Sequence, residues 1–249
     1  MKYCRFIGLF CMYRLRRRLI FAVTVLVLFF PFGIAQAIDD WQTAIRDTDN
    51  DVVVYHRTLP GGNTEFKGIT HVKSSLSACV ALLRDVDAMP EWVDRTIMAK
   101  VLFRVSDTEV YAYNLSRMDW PLANRDAIVH SVLEQDPDSL AVTIKGSGIL
   151  QYNGETWYDY KAHEQDYVRM TQVESFWRFV PLADGYVEVT FQGYGDPGGN
   201  ISSSFFKWFL GFVVWQSPYE TLKKMREIIG RDRYQSARLG FIKEANIAE

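Results

Sequence analysis

From residue 97 to residue 194 one β-type run follows another with no helical pattern between them, and everything from residue 202 to 229 reads as helix. That order is the strongest constraint on what the chain can become. The runs lie near 97–105, 109–118, 126–134, 140–147, 167–179 and 186–194, with Asp107, Pro137-Asp138 and Ala183-Asp184-Gly185 as turns. Residues 186–192 alternate, with Val187, Val189 and Phe191 on one side and Glu188, Thr190 and Gln192 on the other. Mostly short connections and strand alternation imply an antiparallel sheet, a long meander.

Upstream, 41–46 reads as a short helix start. Residues 52–57 and 65–72 read as a hairpin around Pro60-Gly61-Gly62-Asn63. Leu76, Val80, Leu83 and Val86 have helical spacing behind Ser74 or Ser75 as N-cap, and Met89-Pro90-Glu91-Trp92 ends that helix. No linker or repeat divides residues 38–249, so they are read as one α+β domain with its core at about 40–232. The final helix starts near Ser202, with Pro218 as a point of interruption. It carries Phe205, Phe206, Trp208, Phe209, Leu210, Phe212, Val213, Val214 and Trp215, apolar nearly all round apart from Lys207. One side can close a core. The other must meet a ligand, a partner or a membrane. A curved antiparallel sheet wrapped around such a helix encloses space, a natural ligand pocket.

The first 37 residues are different in kind. Arg14, Arg16, Arg17 and Arg18 precede the almost wholly apolar stretch 19–34, and Ala35-Gln36-Ala37 follows, the order of a secretory signal peptide. Cleavage after Ala37 is the expectation, with an uncleaved signal anchor as the alternative. Export points to a periplasm, with secretion left open. This segment carries a charge of +6, and residues 38–249 carry −8. An acidic mature chain argues against nucleic-acid binding, which needs a basic face. Cys79 is the one cysteine after residue 37 and reads as a small buried hydrophobe.

Two stretches coincide with a known pattern. Asp119-Trp120-Pro121-Leu122-Ala123-Asn124-Arg125-Asp126 precedes a strand, and Gly195-Asp196-Pro197-Gly198-Gly199-Asn200-Ile201 stands ahead of the last helix. In order and spacing they resemble the START lipid-transfer domain of the helix-grip (Bet v 1-like) superfamily, over about residues 40–232. Ser202 stands where that pattern has proline. The resemblance implies a helix-grip fold with a tunnel for one lipid-like molecule and the C-terminal helix as lid. It implies a hydrophobic small molecule or lipid as partner, transient membrane contact, a monomer, no cofactor and no covalent chemistry. One member of the acid–arginine pair of some sterol-binding relatives would fall near Ser131, so sterol specificity does not carry over. Enclosure has a physical reason, since each methylene of an acyl chain costs ~0.8 kcal/mol to expose to water.

The candidate ligand contacts are Arg117, Trp120, Arg125, Asp126, Trp177, Phe205, Trp208, Phe209, Phe212 and Val213. Arg125 and Asp126 either orient a polar head group or fix the turn into their strand, and Arg117 is a head-group contact or a surface charge. Trp120 and Trp177 are ligand platforms or core. Gly193-Tyr194-Gly195-Asp196-Pro197-Gly198 matches G-x-G-x-x-G but follows a meander strand, and Pro197 lacks an N–H, so it reads as a turn. The four histidines show no metal spacing. Two alternatives stay open. One is an aromatase/cyclase-type enzyme on the same fold, with Asp126, His130, Glu174 and Arg178 as its titratable candidates. The other is a membrane-associated adaptor without a ligand.

Overall fold

The structure, a computed structural model, describes residues 40–60, 62–120, 122–152, 155–156, 167–196, 198 and 204–245; for 151–152, 155–156 and 204–214 it describes the backbone course alone. Residues 1–37, expected to be a signal peptide, lie outside the described residues, as do Pro121, Pro197, residues 199–203 and the side chains of Phe205, Trp208, Phe209, Phe212 and Val213.

The strands are β1 (Gln42–Asp47), β2 (Val52–Thr58), β3 (Thr64–Lys73), β4 (Thr96–Arg104), β5 (Glu109–Ser116), β6 (Asn124–Gln135), β7 (Val142–Gly148), the short pair β8 (Gln151–Tyr152) and β9 (Glu155–Thr156), β10 (Tyr167–Arg169), β11 (Val173–Pro181) and β12 (Tyr186–Gly195). The helices are α1 (Leu76–Arg84), α2 (Met89–Trp92), α3 (Ser204–Ile228) and α4 (Asp232–Gln235). Nine strands run in the order β1-β2-β3-β12-β11-β7-β6-β5-β4, all antiparallel, and β10 lies parallel against the start of β6. With α3 at the C-terminal end, this is the α+β helix-grip architecture: a large antiparallel curved sheet and few helices.

The register explains how the inner face is graded. One row across the sheet holds Val54, Gly68, Phe191, Trp177, Ile144 and Leu133. The row beside it holds Val52, Thr70, Val189, Phe179 and Val142. Against these rows packs the C-terminal half of α3, whose Leu222, Met225 and Ile228, with Ile229 just past its end, are buried at the spacing of one helical face. Contact is closest at Gly68, where a Cβ would stand 2.6 Å from Leu222 Cδ1. Glycine is what lets the helix approach the sheet there. The other row neighbouring the Trp177 row holds Ser131, Gly146, Ser175 and Gly193, and beyond it come Val129, Gly148, Val173 and Gly195. Side chains this small fill less of the space above the sheet.

The same half of α3 is latched at its edges. Tyr219 donates its hydroxyl to Asp47 Oδ2 at 2.6 Å, and Arg226 donates to Asp51 Oδ2 and Thr70 Oγ1, both at 3.1 Å. On the other flank Lys224 reaches Asp94 at 3.3 Å, and Thr221 Oγ1 accepts the Asp94 backbone N–H at 3.0 Å. The chain's end straps back over α1: Glu244 accepts the N–H groups of Leu76 at 3.0 Å and Ser77 at 2.8 Å.

Five expectations are corrected. Residues 42–47 are strand, not helix, because the Asp47 carboxylate accepts the N–H groups of Asp49 and Asn50, turns the chain and lays it along β2. The run 167–179 is two strands: β7 pairs with β6 only from Val129 onward, and β10 pairs with the free start of β6 at Asn124–Asp126. The meander is not a simple one, since β12 crosses back to pair with β3 and joins the N-terminal hairpin to the sheet. Helix α3 runs through Pro218 without a break, and residues 89–92 form a helical turn of their own after a 3-10 turn at Val86–Ala88.

Candidate functional site

Where the inner face turns to small residues, a cavity of about 300 Å³ opens. Its floor is the sheet: Ala112, Asn114 and Ser116 of β5, Ala127, Val129, Ser131 and Leu133 of β6, Ile144 of β7, Val173, Ser175 and Trp177 of β11 and Phe191 of β12. Its opposite wall, among the described residues, comes from Leu83, Val86, Met89, Trp92 and Val93. The volume is at the lower end of the range in which pockets bury a small organic ligand, ~300–1,000 Å³.

Aromatic stacking fixes the closed end. Trp177 lies parallel to Phe191 at 4.0 Å between centroids, and Trp92 meets Trp177 edge-on at 5.8 Å. Toward the floor, a Cβ on Gly146 would stand 2.5 Å from Ser175 Oγ and 3.2 Å from Ser131 Oγ, so this glycine keeps a notch between two hydroxyls. Among the described lining residues, charge gathers around the β4–β5 turn, with Glu109 at the start of β5. There Arg84 pairs with Asp107 at 3.2 Å, and the Arg104 guanidinium has its charge disfavoured first by burial and then by Arg84 beside it. Trp92 is fully buried, and its indole N–H has no acceptor among the described residues. A buried donor left so costs about 1–3 kcal/mol.

The candidate contacts divide. Of those whose side chains are described, Trp177 lines the cavity. Trp120 does not. It projects from the β5–β6 loop and is 91% exposed. Arg117 is exposed on the same loop. Arg125 and Asp126 are both buried at 3% exposure and held by protein. Arg125 donates to the carbonyl of Ala123 and, at 3.4 Å, to that of Gly198. Asp126 receives a two-pronged contact from Arg169, at 2.9 and 2.8 Å. The two motifs noticed in the sequence therefore meet: Arg125 of the first ties down Gly198 of the second, ahead of α3. Among the enzyme candidates, none lines the cavity. His130 stacks on Tyr111 at 4.4 Å and pairs with Glu109 at 2.8 Å, Glu174 accepts from Ser147 at 2.7 Å, and Arg178 is exposed.

Sequence reasoning missed Trp92 and the wall formed by α1 and α2. The signal was present in part, since Met89 and Trp92 stand at helical spacing after Val86.

This geometry has known counterparts. A STAR-related lipid transfer protein from Xanthomonas axonopodis superposes with a TM-score of 0.65 at 29% identity, covering 78% of this chain and all of that one. The fold is that of the START domains. Human STARD10 superposes with a TM-score of 0.60 at 16% identity over 76% of this chain and 72% of its own, and human StAR-related lipid transfer protein 5 with 0.56 at 12% over 86% and 98%. These last two speak for the START fold alone. In sequence, an uncharacterized protein of Pseudomonas aeruginosa is 28% identical over 198 residues, 78% of this chain and 90% of that protein. No family model matches the chain.

Proposed function

We propose that this protein is an exported carrier that encloses one hydrophobic ligand in the cavity beneath α1 and α2, without covalent chemistry, and exchanges it at a membrane. The cavity carries the proposal: an apolar chamber of about 300 Å³ walled by Leu83, Val86, Met89, Trp92, Trp177 and Phe191. Such walls gain about 25 cal/mol for each Å² of apolar surface they and a ligand remove from water. The likeness to a STAR-related lipid transfer protein supports a lipid as cargo. The apolar stretch before residue 35 supports export into a periplasm. Trp120 supports the membrane step, because an exposed indole on a loop suits the boundary between head groups and acyl chains.

Native mass spectrometry of the full chain, expressed with its own N-terminal segment and purified gently, tests this. A stoichiometric apolar adduct that disappears on denaturation is expected. Ser131→Leu, which fills the floor, should remove the adduct while leaving the circular dichroism spectrum unchanged. A ligand-free mass that persists after incubation with phospholipid vesicles sinks the carrier reading.

A further inference from the structure

Asn114 is the residue of the cavity floor that neither strand formation nor packing explains. It stands in the middle of β5, where asparagine is disfavoured. The register sets it between Ala99 of β4 and Ala127 of β6, both buried. Its direction follows from alternation. Ala112, Asn114 and Ser116 line the cavity, whereas Tyr113 and Leu115, between them, point to the opposite face and pack with Ile128. Asn114 is half-buried and so keeps accessible surface on the cavity side. Among the described residues its amide makes no hydrogen bond. By contrast, Asn50 donates to Asp47 at 2.7 Å and Asn124 accepts the Met118 N–H at 3.1 Å, each fixing a turn or loop. A leucine at 114 would bury apolar surface against the two alanines, and an amide there costs free energy unless something bonds it. Two hydroxyls stand beside it: Ser116 is next on the same face and pairs in register with Thr96, and both line the cavity.

The neighbouring charges narrow the kind of group that can bond it. The charged lining residues, Arg84, Arg104, Asp107 and Glu109, gather at the β4–β5 turn, and Glu109 is roughly 17 Å back along β5 from Asn114. Arg95, next to Thr96 in the chain, pairs with Asp119 at 3.0 Å. Arg125, opposite Ser116 in the register, is buried and donates to the carbonyls of Ala123 and Gly198. A carboxylate or phosphate brought to Asn114 would therefore lose its water without gaining an uncommitted cation. An uncharged polar group loses far less hydration, and the amide and the two hydroxyls can each donate to it and accept from it. We infer that this end of the cavity is a head-group site for an uncharged hydrogen-bonding group, a hydroxyl or an amide, carried on a hydrophobic molecule, with the Asn114 carboxamide as its main partner and Ser116 and Thr96 beside it. The inference rests on the carrier reading and adds the chemical class of the cargo's head.

Three probes separate the claims: 1-dodecanol; tridecane, in which a methyl replaces the hydroxyl; and ionised laurate. Each is delivered from methyl-β-cyclodextrin to the full chain labelled with 15N, and calorimetry gives the affinities. 1-Dodecanol should move the side-chain amide protons of Asn114, identified by their Overhauser contacts to the Ala99 and Ala127 methyl groups, and tridecane should leave them in place. Asn114→Leu should weaken 1-dodecanol about tenfold, the effect of one hydrogen bond, and should not weaken tridecane. The amide protons are read on the unaltered chain, so they decide the matter where the variant fails to fold. If 1-dodecanol and tridecane bind but move the amide alike, if Asn114→Leu folds and weakens both equally, or if laurate binds more tightly than 1-dodecanol, the inference falls and the carrier reading stands. If none of the three binds, both fall.

Discussion

At the scale of single residues, the contacts that look most like chemistry in the sequence are structural. Asp126 and Arg169 form a two-pronged pair with side chains 3% and 8% exposed, and that pair holds β10 against the start of β6. Removing one partner of a buried ion pair leaves the other charge poorly compensated, at about 3–5 kcal/mol. Asp126→Asn should therefore lower the unfolding free energy measured in urea by about that much, and the midpoint with it, while the ligand adduct survives. A variant that keeps its midpoint and loses its ligand would return Asp126 to the binding site. Asp47 shows the same logic at the surface. Its carboxyl is held well below the usual value of 3.8, chiefly by the Tyr219 hydroxyl, then by the Asn50 side chain and backbone N–H groups. The bond also pushes the Tyr219 phenol up to about 12. A carboxyl whose folded pKa lies below its unfolded one contributes stability above the unfolded value and loses it as pH falls toward the folded value. Thermal melts should thus find Tyr219→Phe less stable than wild type at pH 7, with the gap closing below about pH 3. An equal gap at both pH values would remove Asp47 from the account.

At the scale of elements, α1 depends on a residue far away in sequence. Ser75 Oγ accepts the Ala78 N–H at 3.1 Å, but the two preceding N–H groups go to the carboxylate of Glu244. An anion at a helix N-terminus satisfies free donors and favours the helix dipole. Glu244→Ala should cost about 1 kcal/mol, and hydrogen exchange should show faster opening at Leu76 and Ser77 than elsewhere in α1. Uniform exchange across α1 in both proteins would mean the strap is incidental. Helix α3 divides in two by its anchors. Its second half is fixed to the sheet at Gly68 and latched to Asp47, Asp51 and Asp94. Arg125 fixes Gly198 ahead of its first half.

At the scale of the whole molecule, the proposed carrier function assigns cargo exchange and cargo retention to separate places. Trp120 stands on the β5–β6 loop, and the aromatic residues that line the cavity are Trp92, Trp177 and Phe191. Trp120→Ala should slow ligand transfer to phospholipid vesicles several-fold without changing the adduct seen by native mass spectrometry. It touches no cavity wall, and an interfacial indole contributes at the membrane. Equal transfer rates for the two proteins would place the membrane contact elsewhere.

Much of the architecture was legible from the amino-acid order. Strand alternation and short turns determine most of the strands. The apolar spacing of 76–83 determines α1, and the two motifs determine the likeness to the START fold, because each of these signals is local. The rest depended on who pairs with whom. Residues 42–47 become strand because β2 is there to receive them, and β12, besides its hairpin with β11, pairs with β3 from a distant part of the sequence. The cavity itself is a product of register. Ser131, Gly146, Ser175 and Gly193 are unremarkable on four separate strands and make a hollow only once the sheet sets them in one row. Trp92 and Trp120 carry the same indole, one as a core donor in the cavity wall and the other almost fully exposed to water. Propensity cannot distinguish them, because burial is a property of the assembled chain.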